Sequence, residues 1–77
     1  MNLNILISSA GRRVELIKIW QKSLDSLSLN DIRVYACDYD PKLSPACYFA
    51  DDKFQVNKCT DETYSEILLE KCLKKNI

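Results

Sequence analysis

Residues 5–16, ILISSAGRRVEL, decide the fold of this chain. Leu3 to Ile7 is an apolar run rich enough in Ile and Leu to form a strand buried on both faces. The small polar turn Ser8-Ser9-Ala10-Gly11 follows it, and a helical pattern then opens at Arg12. A hydroxyl from Ser8 or Ser9 is the expected helix cap. Two arginines at that point carry the wrong sign, because a helix N-terminus already holds partial positive charge. A bound anion would turn that cost into an asset, since unpaired amides at a helix start also attract phosphate or carboxylate. The plainer reading is that Arg12 and Arg13 point into water or pair with Glu15 and Asp40.

Outward from this stretch, a helix is predicted over residues 12–27. Val14, Ile17, Leu24 and Leu27 form its apolar stripe, and Leu16 and Trp20 widen it. The polar turn SLSLND ends it. Ile32 to Cys37 reads as a second strand, closed by Asp38-Tyr39-Asp40-Pro41. One short turn of helix is expected at Ser44-Pro45, because proline suits the first helical position. Phe54 and Val56 alternate with Lys53, Gln55 and Asn57, the period of a half-exposed strand at a sheet edge. Thr60 or Asp61 is the expected cap of a last helix, whose stripe is Tyr64, Ile67, Leu68 and Cys72.

Strands joined by helical connections imply parallel pairing. The expectation is therefore an α/β fold: a Rossmann-like, three-layer fragment with a short parallel sheet of about three strands, and a fourth due at the C-terminus. Residues 1–77 form one domain, expected to be a fragment of a longer protein.

With 77 residues, the chain buries only roughly 60% of its unfolded surface. Eleven basic residues balance eleven acidic ones, which argues against nucleic acid or an anionic membrane as partner. No apolar run reaches the ~20 residues of a bilayer span. Cys37, Cys47, Cys59 and Cys72 form no C-x-x-C pair; free thiols of this kind suit a cytoplasmic protein. Cys37 and Cys72 fall at apolar positions, as small buried hydrophobes. The absence of histidine rules out a Ser–His or Cys–His nucleophile pair within these residues.

Ligands of open parallel sheets collect at the carboxyl ends of the strands. Three segments meet there: 8–13, 38–40 and 57–60. The candidate residues for a small anionic substrate are Ser9, Gly11, Arg12, Arg13, Asp38 and Asp40; no catalytic residue and no metal ligand is assigned. The G-x-G-x-x-G fingerprint is absent, and Gly11 is the only glycine. Asp38 stands where a ribose-binding acid would, but capping the turn before Pro41 explains it equally well. Asp38 with Asp40, and Asp51 with Asp52, are carboxylate pairs that turn formation and solubility account for.

NILISSAGRRVELIK, VYACDYDPKLSPACYFADDKFQV and TDETYSEILLEKCLKKNI together resemble the N-terminal region of ATP-grasp ligases, in particular proteins similar to the carbamoyl phosphate synthase large chain. The resemblance covers nearly the whole chain. It implies a preATP-grasp domain that shapes the acceptor-substrate cleft, with Ser9, Gly11, Arg12 and Arg13 facing the cleft and Asp38 and Asp40 on the neighbouring loop. It also implies that ATP and Mg2+ are held by the remaining ATP-grasp domains of a parent chain, and that this piece alone is inactive. Two other classes compete: a nucleotide-binding half-domain of an oxidoreductase, which the glycine shortage disfavours, and a non-catalytic α/β interaction module that pairs as a homodimer through an exposed sheet edge.

Overall fold

Three short parallel strands form one sheet in the order β1-β2-β3. They are β1 (Ile5–Ile7), β2 (Val34–Asp38) and β3 (Asp52–Gln55). The computed structural model describes residues 4–29 and 31–77. Leu3, at the expected start of the first strand, and Asn30, in the expected polar turn, lie outside them. Ile5 aligns with Val34 and Ile7 with Ala36, while Cys37 aligns with Phe54 and Asp38 with Gln55.

Helices cover both faces. Helix α1 (Val14–Ser26) and the short α2 (Pro45–Phe49) lie on one face, and α3 (Tyr64–Lys74) on the other. Beneath α1 and α2, Ile7, Ala10, Ile17, Leu24, Val34, Ala36, Ala46 and Cys47 form one buried cluster. Beneath α3, Tyr35, Cys37, Phe54 and Val56 form the other. The strand alternation explains the split, since successive β2 side chains point to opposite faces. The expected three-layer α/β arrangement with a parallel sheet is what the chain adopts. Among the described residues the sheet has three strands, and the C-terminal Asn76-Ile77 tail does not form a fourth.

Several expectations are corrected in detail. β2 runs Val34–Asp38, two residues later than expected at its start and one at its end, so Asp38 belongs to the strand. Its four leading residues are all buried, whereas Ile5 and Leu6 of β1 are only half-buried. The apolar run at residues 3–7 signals burial but not position: β1 lies at an edge of this sheet, and β2 takes the centre. In α1, Ile17 and Leu24 are buried, but Trp20 stays 40% exposed and Leu27 68% exposed. The apolar stripe is thus wider than the core it covers.

Helix caps differ in the same way. α1 starts at Val14, and its N-cap is Arg13 with no side-chain cap, rather than Ser8 or Ser9. α3 is capped at Thr63 instead of Thr60 or Asp61. The expected turn at Ser44-Pro45 is α2, with Ser44 as N-cap accepting from the Cys47 N–H at 3.2 Å. Pro41–Leu43 adds one 3-10 turn before it.

Candidate functional site

The segment between β1 and α1 is bent twice into left-handed backbone, at Ser9 (φ 47°) and at Gly11 (φ 50°). Glycine adopts that conformation without strain, and serine does so at some cost. Long-range contacts hold both bends. The Ala10 N–H donates to the Cys37 carbonyl at 3.0 Å, and the Gly11 N–H donates to Asp38 Oδ2 at 2.7 Å. The Gly11 carbonyl accepts from the buried Ser44 hydroxyl at 2.6 Å and from the Ala46 N–H at 3.2 Å. The turn after β1 is therefore stitched to the end of β2 and to the start of α2.

This geometry brings Ser9, Gly11, Arg12, Asp38 and Asp40 to one end of the sheet, where the strands present their carboxyl ends. It also redistributes the donors. The Ser9 N–H faces the Cys37 thiol, Ala10 and Gly11 bond to β2, the Arg13 N–H donates to the Ala10 carbonyl and the Val14 N–H to the Arg12 carbonyl. The amides of Ser9, Ala10, Gly11, Arg13 and Val14 thus have protein partners, and those of Arg12, Glu15 and Leu16 at the helix start remain without one. Asp38 does more than cap its own turn: Oδ1 accepts from the Asp40 N–H at 3.4 Å, while Oδ2 holds Gly11.

What remains for an anion is the guanidinium pair and these three amides. Arg12 and Arg13 are exposed, and neither forms an ion pair with Glu15 or Asp40; among the described residues the one salt bridge is Lys74–Glu70. Arg12 lines a hollow of about 250 Å³ with Asp38, Tyr39, Asp40 and Leu43. Arg13 does not line this hollow. The second acidic pair serves backbone geometry: Asp51 Oδ2 accepts from the Val34 N–H at 2.8 Å, and Asp52 Oδ1 from the Lys53 N–H at 2.8 Å.

A second hollow, about 290 Å³, opens on the other side of Asp38. Ser9, Tyr39, Asn57, Lys58 and Tyr64 are among its walls. Sequence reasoning identified segment 57–60 as part of this end of the sheet but singled out no residue in it. Here a directional chain of hydrogen bonds runs through the loop before α3. Thr63 donates its N–H and its hydroxyl to Asp61 Oδ1, at 2.9 and 2.8 Å. The Thr63 oxygen in turn accepts from Asn57 Nδ2 at 3.1 Å. The two donations from Thr63, the backbone N–H foremost, hold the Asp61 carboxyl below its ordinary value of 3.8. Asn57 Oδ1, at the end of the chain, is sealed from solvent and accepts nothing. Such an orphan costs about 1–3 kcal/mol.

A wider hollow of about 560 Å³ lies at the opposite end of the strands, where Lys18 and Lys22 face Asp25 and Asp51. Its charges balance, and it is remote from the carboxyl ends where open parallel sheets bind ligands. Burial pushes the Cys37 thiol up to about 11, which leaves it a core residue. Cys47 is buried as well, Cys72 is half-buried rather than fully so, and Cys59 is exposed on the 57–63 loop. Among the described residues no three His, Cys, Asp or Glu side chains converge as metal ligands, and no helix is long and apolar enough to cross a membrane.

A search of curated proteins found no significant match. The three-layer parallel fold and the bent Ser9–Arg13 turn belong to one matched region: the family profile described as PylC-like, N-terminal domain covers residues 5–77. The chain is therefore a member of the PylC-like N-terminal domain family, a preATP-grasp-type domain of ATP-grasp ligases.

Proposed function

We propose that this domain forms the substrate-side wall of a cytoplasmic ATP-dependent carboxylate–amine or carboxylate–ammonia ligase similar to the carbamoyl phosphate synthase large chain. The observation that supports this reading is Arg12, unpaired and exposed in a hollow at the carboxyl ends of the strands. In the parent reaction ATP supplies the phosphoryl group that activates a carboxylate. The residues present here do not fit ATP or Mg2+. The chain has one glycine, the Gly11 amide is closed by Asp38, and among the described residues no acidic cluster converges. Both belong to the remaining ATP-grasp domains in this proposal, and residues 1–77 are not catalytic. Their task is positional: Arg12 and Arg13 hold an anionic group of the substrate, while Asp38 keeps the Ser9–Gly11 turn in place beneath it.

The test is the double change Arg12→Ala with Arg13→Ala in the ligase that carries the domain. KM for the anionic substrate rises while kcat and folding are kept, because positive charge at and beside the hollow is removed and no reacting group is. An unchanged KM removes the site.

The free side of β1 favours a second role, in assembly. The Ile5 N–H donates toward β2, to the Arg33 carbonyl, so Asn4 and Leu6 turn their backbone groups the other way. The Asn4 N–H is met there by the Asn76 carbonyl at 3.2 Å. Lys18 and Gln21 contact Phe49 of α2, which places Trp20 and Leu27 on the opposite flank of α1. Ile67 and Lys71 of α3 border Gln55 by β3, which places Leu69 and Leu73 on its far flank. We propose that the rest of the parent chain packs on this edge between the two apolar rows. In its absence, a second copy of the chain pairs there.

A further inference from the structure

The Arg12 hollow is small, and its other walls decide what can share it with the guanidinium. Two of them are apolar side chains left in the open: Tyr39 is 52% exposed and Leu43 80%. Leu43 stands on the 3-10 turn and packs against neither buried cluster. Tyr39 is held at both its backbone and its ring. Gln55 Nε2 donates to its carbonyl at 3.1 Å, and the Lys58 ammonium lies over the ring, 5.1 Å from its centre. Lys58 lines the neighbouring hollow and not this one, so the ring is braced from outside the Arg12 hollow.

The remaining charged walls are negative. Asp38 commits one oxygen to the Gly11 N–H and turns the other toward the Asp40 N–H. Asp40 is half-buried, and among the described residues it pairs with no cation. One guanidinium therefore shares a small hollow with two carboxylates. Such a hollow accepts one negative charge placed at Arg12 and repels a second.

We infer that the Arg12 hollow selects a monoanion with a flat apolar body, an aryl carboxylate being the simplest of the class. The carboxylate meets Arg12, and the body covers Tyr39 and Leu43. A pocket with apolar walls and few polar groups orients its ligand in this way. An inorganic anion or a short aliphatic acid leaves both apolar side chains uncovered, and a dianion meets Asp40. Tyr39 and Leu43 thus set specificity: they touch the body of the ligand and no reacting atom. The inference rests on Arg12 as the anion-binding group of the proposed function and adds the class of substrate to it.

Three probes, titrated into the isotope-labelled 77-residue chain at matched, low ionic strength, test it: benzoate, acetate and terephthalate. Acetate has the charge without the body, and terephthalate has the body with a second charge. Benzoate is expected to shift the resonances of Gly11, Arg12, Tyr39 and Leu43, and to bind about tenfold more tightly than acetate, since only its ring covers apolar surface. Terephthalate should bind several-fold more weakly than benzoate. Tyr39→Ala, a change at an exposed side chain, should bring benzoate down to the level of acetate. Equal binding of benzoate and acetate at Arg12 overturns the apolar body and leaves the anion site standing. Terephthalate binding as tightly as benzoate overturns the selection for a single charge. Benzoate shifts that persist in Arg12→Ala, or that fall on other residues, overturn the inference as a whole. The anion site itself is judged separately, by the KM of the double arginine variant in the ligase.

Discussion

Asp38 is the residue on which the site's geometry turns, and removing its carboxylate gives a measurable consequence. Asp38→Ala deprives the Gly11 N–H of a 2.7 Å charge-assisted bond and the Asp40 N–H of a weak 3.4 Å one. A hydrogen bond to a charged partner contributes about 1.5–3 kcal/mol. This pair is half-buried, so the lower half of that range applies: roughly 1.5–2 kcal/mol. The Asp40 contact adds little at its length. A chain of 77 residues has a total stability of about 4–12 kcal/mol, so the loss is large in proportion. At about 4–8 °C per kcal/mol, Tm should fall by roughly 6–16 °C, read by far-UV circular dichroism. Asp38→Asn keeps a neutral acceptor for Gly11 and should lose about half as much. If Asn costs nothing, the carboxylate charge is irrelevant. If Ala costs under about 0.5 kcal/mol, Asp38 does not hold the turn.

Two further outcomes follow from the same structure. The Cys37 thiol, raised by burial from 9.0 to about 11, contributes stability that is full below about pH 9; it is lost toward pH 11, because the unfolded chain gives up its thiol proton first. Urea unfolding across that window should therefore show a shallower decline for Cys37→Ala than for the unaltered chain, and parallel declines would refute the assignment. If the β1 edge pairs as proposed, light scattering should find the isolated chain a dimer and Trp20→Lys should return it to a monomer; a monomeric unaltered chain at high concentration rejects the paired edge.

The fold was legible because its signals are local. Periods of two and of three to four, with Pro41 and Pro45 as punctuation, suffice to order three strands and to place α2 at Ser44-Pro45. Sheet position was not legible. Ile5 and Leu6 have the composition of a central strand, yet β1 lies at the edge, because an apolar run records how much surface is to be covered and not by what. Trp20 and Leu27 illustrate the same limit: their spacing places them in the stripe of α1, while their exposure shows that the stripe extends past the core. Helix starts were missed for a different reason. Ser9 is a good cap by residue type, but a bond from Gly11 to a carboxylate 27 residues away bends the chain twice and delays α1 to Val14.

The late helix start also answers the problem of the two arginines. Residue type suggested an anion site made of amides and guanidinium groups together, with the amides leading. Folding assigns the amides of Ser9, Ala10 and Gly11 to β2 and leaves Arg12 and Arg13 outside the helical turns. Asp38 takes the Gly11 amide that would otherwise face an incoming carboxylate or phosphate. The two exposed side chains and the amides of Arg12, Glu15 and Leu16 are then left for the ligand, and an exposed ion contact is worth about 0.2–1 kcal/mol in water. Two such contacts cannot retain a small anion at physiological salt, where charges separated by more than ~8 Å are screened. An anion site on this surface therefore gains useful affinity only when a second wall excludes water from Arg12, since charge-assisted bonds strengthen as the surroundings dry. The open edge of β1 and its flanking apolar rows mark where further structure can pack. The exposed arginines and the exposed edge thus express a single condition: each is costly on a lone domain and useful once the domain is covered.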